Sequence, residues 1–121
     1  MSWIKSQYQK QRPLYQRTAE FSSLHEKHPD RRCVVFDVPK DLKLKKYKFL
    51  TPREMTLGQL LVIIRKNIDT LPSSTALFVF TESNTIVSPS ATVEKLFSSF
   101  KSEDGALYLF LRKENTFGGE N

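Results

Sequence analysis

Cysteine, histidine and long apolar runs are all scarce in this chain of 121 residues. The one cysteine, Cys33, cannot close an internal disulfide, which agrees with a reducing compartment. With His25 and His28 it forms an H-x2-H-x4-C pattern. That pattern sets two histidines at a helix end and a cysteine among strand residues, with no third group to orient a nucleophile and base, so it supports neither catalysis nor a metal centre. A small cysteine in a strand reads as packing. No apolar run approaches the roughly eighteen residues a membrane span needs, and Met1-Ser2-Trp3-Ile4-Lys5-Ser6-Gln7 is not a signal peptide. Internal repeats and low-complexity tracts are missing as well. The expectation is a cytosolic protein that is not an enzyme and carries neither cofactor nor metal.

What is present suits a single globular domain. Hydrophobic residues make up 39% of the chain and nine phenylalanines promise a packed interior, so a core can form without disulfide or metal support. The net charge of +6 is unevenly placed: twelve of the nineteen Lys and Arg fall in residues 1–50, against five of the thirteen Asp and Glu. A basic first half predicts attraction to anionic lipid, acidic peptide or nucleic acid, with a merely solvated basic surface as the plain alternative. The run Lys43-Leu44-Lys45-Lys46-Tyr47-Lys48 would also suit tubulin or RNA. No nucleic-acid module accompanies it, which disfavours nucleic acid.

Residues 3–9 place Ile4 and Tyr8 four apart, a short amphipathic helix with Trp3 alongside. Pro13 then opens a second helix over 14–27, with Leu14, Phe21 and Leu24 on the apolar face and Arg17, Glu20 and Lys27 on the polar one. The β-branched and aromatic residues of 31–38 predict a strand, and 49–52 a second, stopped or held at an edge by Pro52. The clearest helix follows, with Leu57, Leu60, Leu61, Ile64 and Ile68 in one stripe. Thr56 and Gln59 supply a capping box, and Met55 a staple onto Leu60. A fully apolar strand over 76–80, a stub at Ile86-Val87 and a helix built on Val93, Leu96, Phe97 and Phe100 come next. The last strand, 106–112, is apolar on both faces and should be central. Two helices followed by β-β-α-β-α-β predict an α+β fold, a ubiquitin-like β-grasp with two additional N-terminal helices. The expected division is a helical extension over 1–28, a β-grasp over 29–112 and a tail over 113–121.

That tail, Glu114-Asn115-Thr116-Phe117-Gly118-Gly119-Glu120-Asn121, has too little apolar surface to order itself. Gly118 and Gly119 would let an extended backbone enter a narrow enzyme channel, with Phe117 as an anchor just before it. A frayed end without a role is the alternative.

Several stretches together resemble one family. Tyr47-Lys48-Phe49-Leu50-Thr51-Pro52, Met55-Thr56-Leu57-Gly58-Gln59-Leu60, Ile63-Ile64-Arg65-Lys66, Ala76-Leu77-Phe78-Val79-Phe80, Gly105-Ala106-Leu107-Tyr108 and Glu114-Asn115-Thr116-Phe117-Gly118 are similar, in order and over essentially the whole chain, to the autophagy ubiquitin-like modifiers of the GABARAP and microtubule-associated protein light chain three type. The resemblance implies cleavage by a cysteine protease after Gly118, read through Phe117, with Gly119 as the alternative cut. It implies transfer of the new carboxylate through E1-like and E2-like enzymes to phosphatidylethanolamine, so that a cytoplasmic protein becomes bound to the autophagosome membrane. It also implies recruitment of cargo receptors bearing an aromatic-x-x-aliphatic motif, which adds a strand to the sheet edge. By position, the aromatic pocket would be Glu20, Leu24, Cys33, Val35, Lys48, Leu50 and Ala106. The aliphatic pocket would be Phe49, Thr51, Pro52, Met55, Leu60 and Ile63, with Arg31, Lys46 and Lys48 facing acidic residues of the motif. Ala106 stands where the family usually has a bulky aromatic, Cys33 where proline is common, Thr51 where an aliphatic is usual and Asn67 where a basic residue is frequent. A roomier aromatic pocket is the consequence expected of Ala106.

Overall fold

The computed structural model describes residues 5–69, 71–72 and 74–114, so the readings placed on Trp3, Ile4, Phe117, Gly118 and Gly119 lie outside the described residues. Eight elements follow in order: α1 (Gln7–Gln11), α2 (Leu14–Lys27), β1 (Arg31–Asp37), β2 (Lys48–Pro52), α3 (Leu57–Lys66), β3 (Leu77–Phe80), α4 (Val93–Phe100) and β4 (Leu107–Lys113). The strands form one sheet in the order β2-β1-β4-β3. β1 and β4 run parallel in the centre, with β2 and β3 antiparallel at the two edges.

A central strand covered on both faces must be apolar on both, and the two middle strands are. Val34 and Phe36 of β1, with Leu107, Leu109 and Leu111 of β4, point into a core closed by Leu57, Leu60 and Ile64 of α3 and by Val93 and Leu96 of α4. Their alternates, Cys33, Val35, Tyr108 and Phe110, meet Tyr8 of α1 and Phe21 of α2 on the opposite face. Each large apolar side chain buried this way contributes about 1.5 to 3 kcal/mol relative to exposure. Edge strand β2 alternates instead, with Phe49 and Thr51 buried and Lys48, Leu50 and Pro52 half-buried.

The helix starts have local causes. Thr56 Oγ1 accepts from the Gln59 N–H at 3.1 Å and Gln59 Oε1 accepts from the Thr56 N–H at 2.9 Å, the capping box that opens α3. Ser6 and Gln9 make the same reciprocal pair, at 2.8 and 3.1 Å, and this starts α1 at Gln7 rather than at residue 3. Gly58 admits the loop before α4: its N–H donates to Pro89 O at 2.8 Å, and a Cβ there would sit 3.3 Å from the same oxygen.

Two expectations needed correction. On α2 the polar and apolar faces are displaced, with Leu14 40% exposed and Arg17 only 6%. Arg17 is buried because Nη1 pairs with Asp104 Oδ2 at 2.5 Å and Nε donates to Arg12 O at 3.0 Å. The fully apolar run expected as a strand over 76–80 forms edge strand β3, with Phe78 40% exposed. Second, the strand ends differ by one residue: β1 closes at Asp37 and β3 opens at Leu77, inside their expected runs, β2 opens earlier at Lys48, and β4 is displaced to Leu107–Lys113.

Candidate functional site: the edge of β2 and the groove beside it

β2 has no neighbour on its outer side among the described residues, which leaves backbone donors and acceptors of one edge for an added strand. Beside it, between α2 and β2, lies a groove of about 450 Å³ lined by Glu20, Ser23, Leu24, Cys33, Lys46, Lys48, Phe49 and Leu50. A larger concavity of about 650 Å³, with Tyr8, Phe36, Leu42, Tyr47 and Phe110 in its walls, opens between α1 and the 38–47 segment. There β1 and β4 spend their backbone groups on each other, so the smaller groove is the better candidate for peptide.

Of the residues expected around the aromatic pocket, Glu20, Leu24, Cys33, Lys48 and Leu50 come together as the lining. Val35 and Ala106 are fully buried beneath it, in the same apolar cluster. Ala106 is 0% exposed, so its side chain does not reach the groove surface. The aliphatic set is more dispersed. Phe49 lines the groove, Leu60 is in the main core, Thr51 is buried, Pro52 and Met55 are half-buried and Ile63 stands on the exposed side of α3. Arg31 is exposed and its Nη1 donates to Leu50 O at 3.3 Å. Asn67 caps α3, its Nδ2 donating to Ile63 O at 3.0 Å. Ser23 and Tyr8 were not foreseen. Ser23 lies three residues on from Glu20, a helical spacing that would have pointed to it; Tyr8 acts across elements, which no local spacing reveals.

Glu20 sets the charge pattern at the groove mouth. Lys48 Nζ pairs with its Oε2, and the Tyr8 hydroxyl donates to its Oε1. Burial pushes the Glu20 carboxyl up, but the hydrogen bonds from Lys48 and Tyr8, with the charges of Lys48 and Arg12, outweigh it and hold the carboxyl below its ordinary range. Lys46 Nζ instead lies 5.0 Å from the Phe49 ring centroid. A groove with apolar walls and lysines at its mouth suits an extended peptide that carries a large apolar side chain and acidic neighbours.

Cys33 belongs to the wall rather than to any chemistry. Burial, with the nearby Glu20 charge, pushes its thiol up to about 11, so it is not a thiolate at neutral pH. His25 Nε2 accepts from the Cys33 backbone N–H at 3.0 Å, not from the thiol. Burial, with the charges of Arg32 and Lys101, lowers the His25 pKa, as an accepting, neutral ring requires. Among the described residues no three His, Cys, Asp or Glu are close enough to hold a metal ion, and no helix is long and apolar enough to cross a membrane.

Comparison with known proteins gives one consistent result. Residues 16–118 match the family model described as autophagy protein Atg8, ubiquitin like. The chain is 37% identical over 122 residues to autophagy-related protein 8 of Pichia angusta, covering 95% of this chain and 93% of that protein. It is 39% identical over 120 residues to autophagy-related protein 8a of Arabidopsis thaliana, covering 94% of each. The crystal structure of Trypanosoma brucei ATG8 superposes with a TM-score of 0.84 at 33% identity, covering 95% of this chain and all of that one.

Proposed function

We propose that this chain, which belongs to the Atg8 family of ubiquitin-like autophagy proteins, is a processed and lipidated modifier that recruits receptors through the edge of β2. A cysteine protease cuts after Gly118, E1-like and E2-like enzymes carry the new carboxylate, and the amine of phosphatidylethanolamine receives it. The protein then moves from the cytoplasm to the autophagosomal membrane. The β-grasp over 29–112 is the body, 1–28 the helical extension and 113–121 the tail that is processed. Receptors and adaptors with an aromatic-x-x-aliphatic motif lay that motif along β2. The observation that supports this most directly is the free β2 edge with an apolar, lysine-rimmed groove beside it.

Two measurements test the reading. A peptide with an aromatic-x-x-aliphatic core and acidic flanks should bind at micromolar strength, about −7 to −9 kcal/mol. Lys48→Glu should weaken it, because the new carboxylate would face that of Glu20 and the two would repel the acidic flank. Equal affinities of wild type and variant at physiological salt would overturn the site. Intact-mass analysis of protein recovered from its own cell extract should show a product ending at Gly118. A product ending at Gly119 would move the cut, and an unprocessed chain in an extract that matures its relatives would favour a ubiquitin-like adaptor binding proteins or tubulin non-covalently.

A further inference from the structure

We infer that Tyr8, on α1, is a positioning residue for the groove and sets how strongly the groove responds to acidic residues in a bound peptide. The inference rests on the motif-binding reading above. Three elements meet at one carboxylate: α2 supplies Glu20, β2 supplies Lys48 on Oε2, and α1 supplies the Tyr8 hydroxyl on Oε1. Tyr8 is 4% exposed, so its hydroxyl is delivered by a fixed ring. Phe21 lies 5.9 Å and Tyr47 6.0 Å from the ring, centroid to centroid, and the Arg12 guanidinium stands 4.2 Å over its face.

The two lysines of the groove therefore differ. Lys48 is already neutralised by Glu20, and its ammonium is 5.7 Å from the Tyr8 ring centroid. Lys46 has no carboxylate partner among the described ion pairs and is presented over Phe49. An acidic residue approaching Lys48 meets the Glu20 charge as well, and must displace a carboxylate held by two donors. One approaching Lys46 meets no such charge. Tyr8 thus keeps Glu20 on Lys48 and directs acidic neighbours of the motif toward Lys46. Take the hydroxyl away and Glu20 keeps one donor of two, so the Lys48 pair opens more readily and Lys48 becomes available to the peptide. The pair is partly solvent-exposed, which limits the effect to a few-fold.

The test uses the full chain and two peptides that share the aromatic-x-x-aliphatic core, one with acidic and one with neutral flanks. Tyr8→Phe should tighten the acidic peptide about three- to fivefold and leave the neutral one unchanged. Glu20→Gln should likewise tighten the acidic peptide relative to the neutral one, and adding Tyr8→Phe to it should bring nothing further. Equal shifts for both peptides, or additive effects of the two substitutions, would reduce Tyr8 to packing and overturn the inference. A second measurement needs no peptide: Tyr8→Phe should raise the midpoint of the Glu20 carboxyl, followed by NMR against pH. If wild type binds neither peptide, the motif reading fails and this midpoint decides alone, a raised value supporting the positioning role and an unchanged one ending it.

Discussion

Replacing Arg17 by methionine should cost the fold about 3 kcal/mol, the low end of the penalty for stripping one partner from a buried ion pair. The low end applies because Asp104 keeps other donors. Its Oδ2 also accepts from the Tyr108 hydroxyl at 2.5 Å and its Oδ1 from the Ala106 N–H at 3.0 Å, while its side chain is wholly shielded from solvent. Methionine retains most of the aliphatic volume, so the loss is mainly that of charge compensation. The functional consequence follows from the same contacts, since Arg17 ties α2 to the start of β4 and α2 carries Glu20 and Leu24 of the groove. Urea denaturation of wild type and variant measures the cost, and the double variant with Asp104→Asn should recover part of it. The exposed Lys45–Asp69 pair, at 3.1 Å, is the control, and breaking it should cost less than about 1 kcal/mol. An Arg17→Met cost as small as that control's would refute the reasoning.

Gly105 has φ +92° in the turn before β4, where a Cβ is strained, so Gly105→Ala should destabilise by about 1 to 2 kcal/mol in the same assay although only Phe21 stands nearby, at 3.9 Å. No loss would mean the turn relaxes freely. Glu82→Gln should stabilise at neutral pH. Burial, with the Asp104 charge, raises the Glu82 pKa against the hydrogen bonds from Gln9 and Ser102. A raised pKa favours the fold below the unfolded value, about 4.3, and that benefit is lost as pH rises through the folded value, so the gain should vanish near pH 4. Glutamine keeps an oxygen for Gln9 Nε2, which donates to Glu82 at 2.7 Å; a destabilised variant at pH 7 would contradict this. Gly118→Ala should stop or greatly slow processing and lipidation while Gly119→Ala is much milder, read by mass spectrometry of the product; equal effects would break the assignment.

The α3 start was legible because a capping box is a three-residue event, and Thr56 and Gln59 carry it in their spacing. α1 has an identical device at Ser6 and Gln9, but the spacing of Ile4 and Tyr8 drew the expected start too early. The central place of β4 was legible in the run Leu107–Leu111, buried at every position, although the equally apolar β3 lies at an edge with Phe78 exposed, so apolarity alone did not separate centre from edge. The burial of Arg17 was not, because its partner is 87 residues away and nothing within a helical turn announces it. Nor was the setting of Ala106, which resemblance placed at a pocket and packing placed beneath it. Local spacing thus determined the type and order of the elements, because caps and periodicity act within a few residues. Which faces pair, which charge is buried and that Tyr8, Glu20 and Lys48 meet at one groove were decided only by tertiary structure, because those contacts join groups that become neighbours when the chain closes on itself.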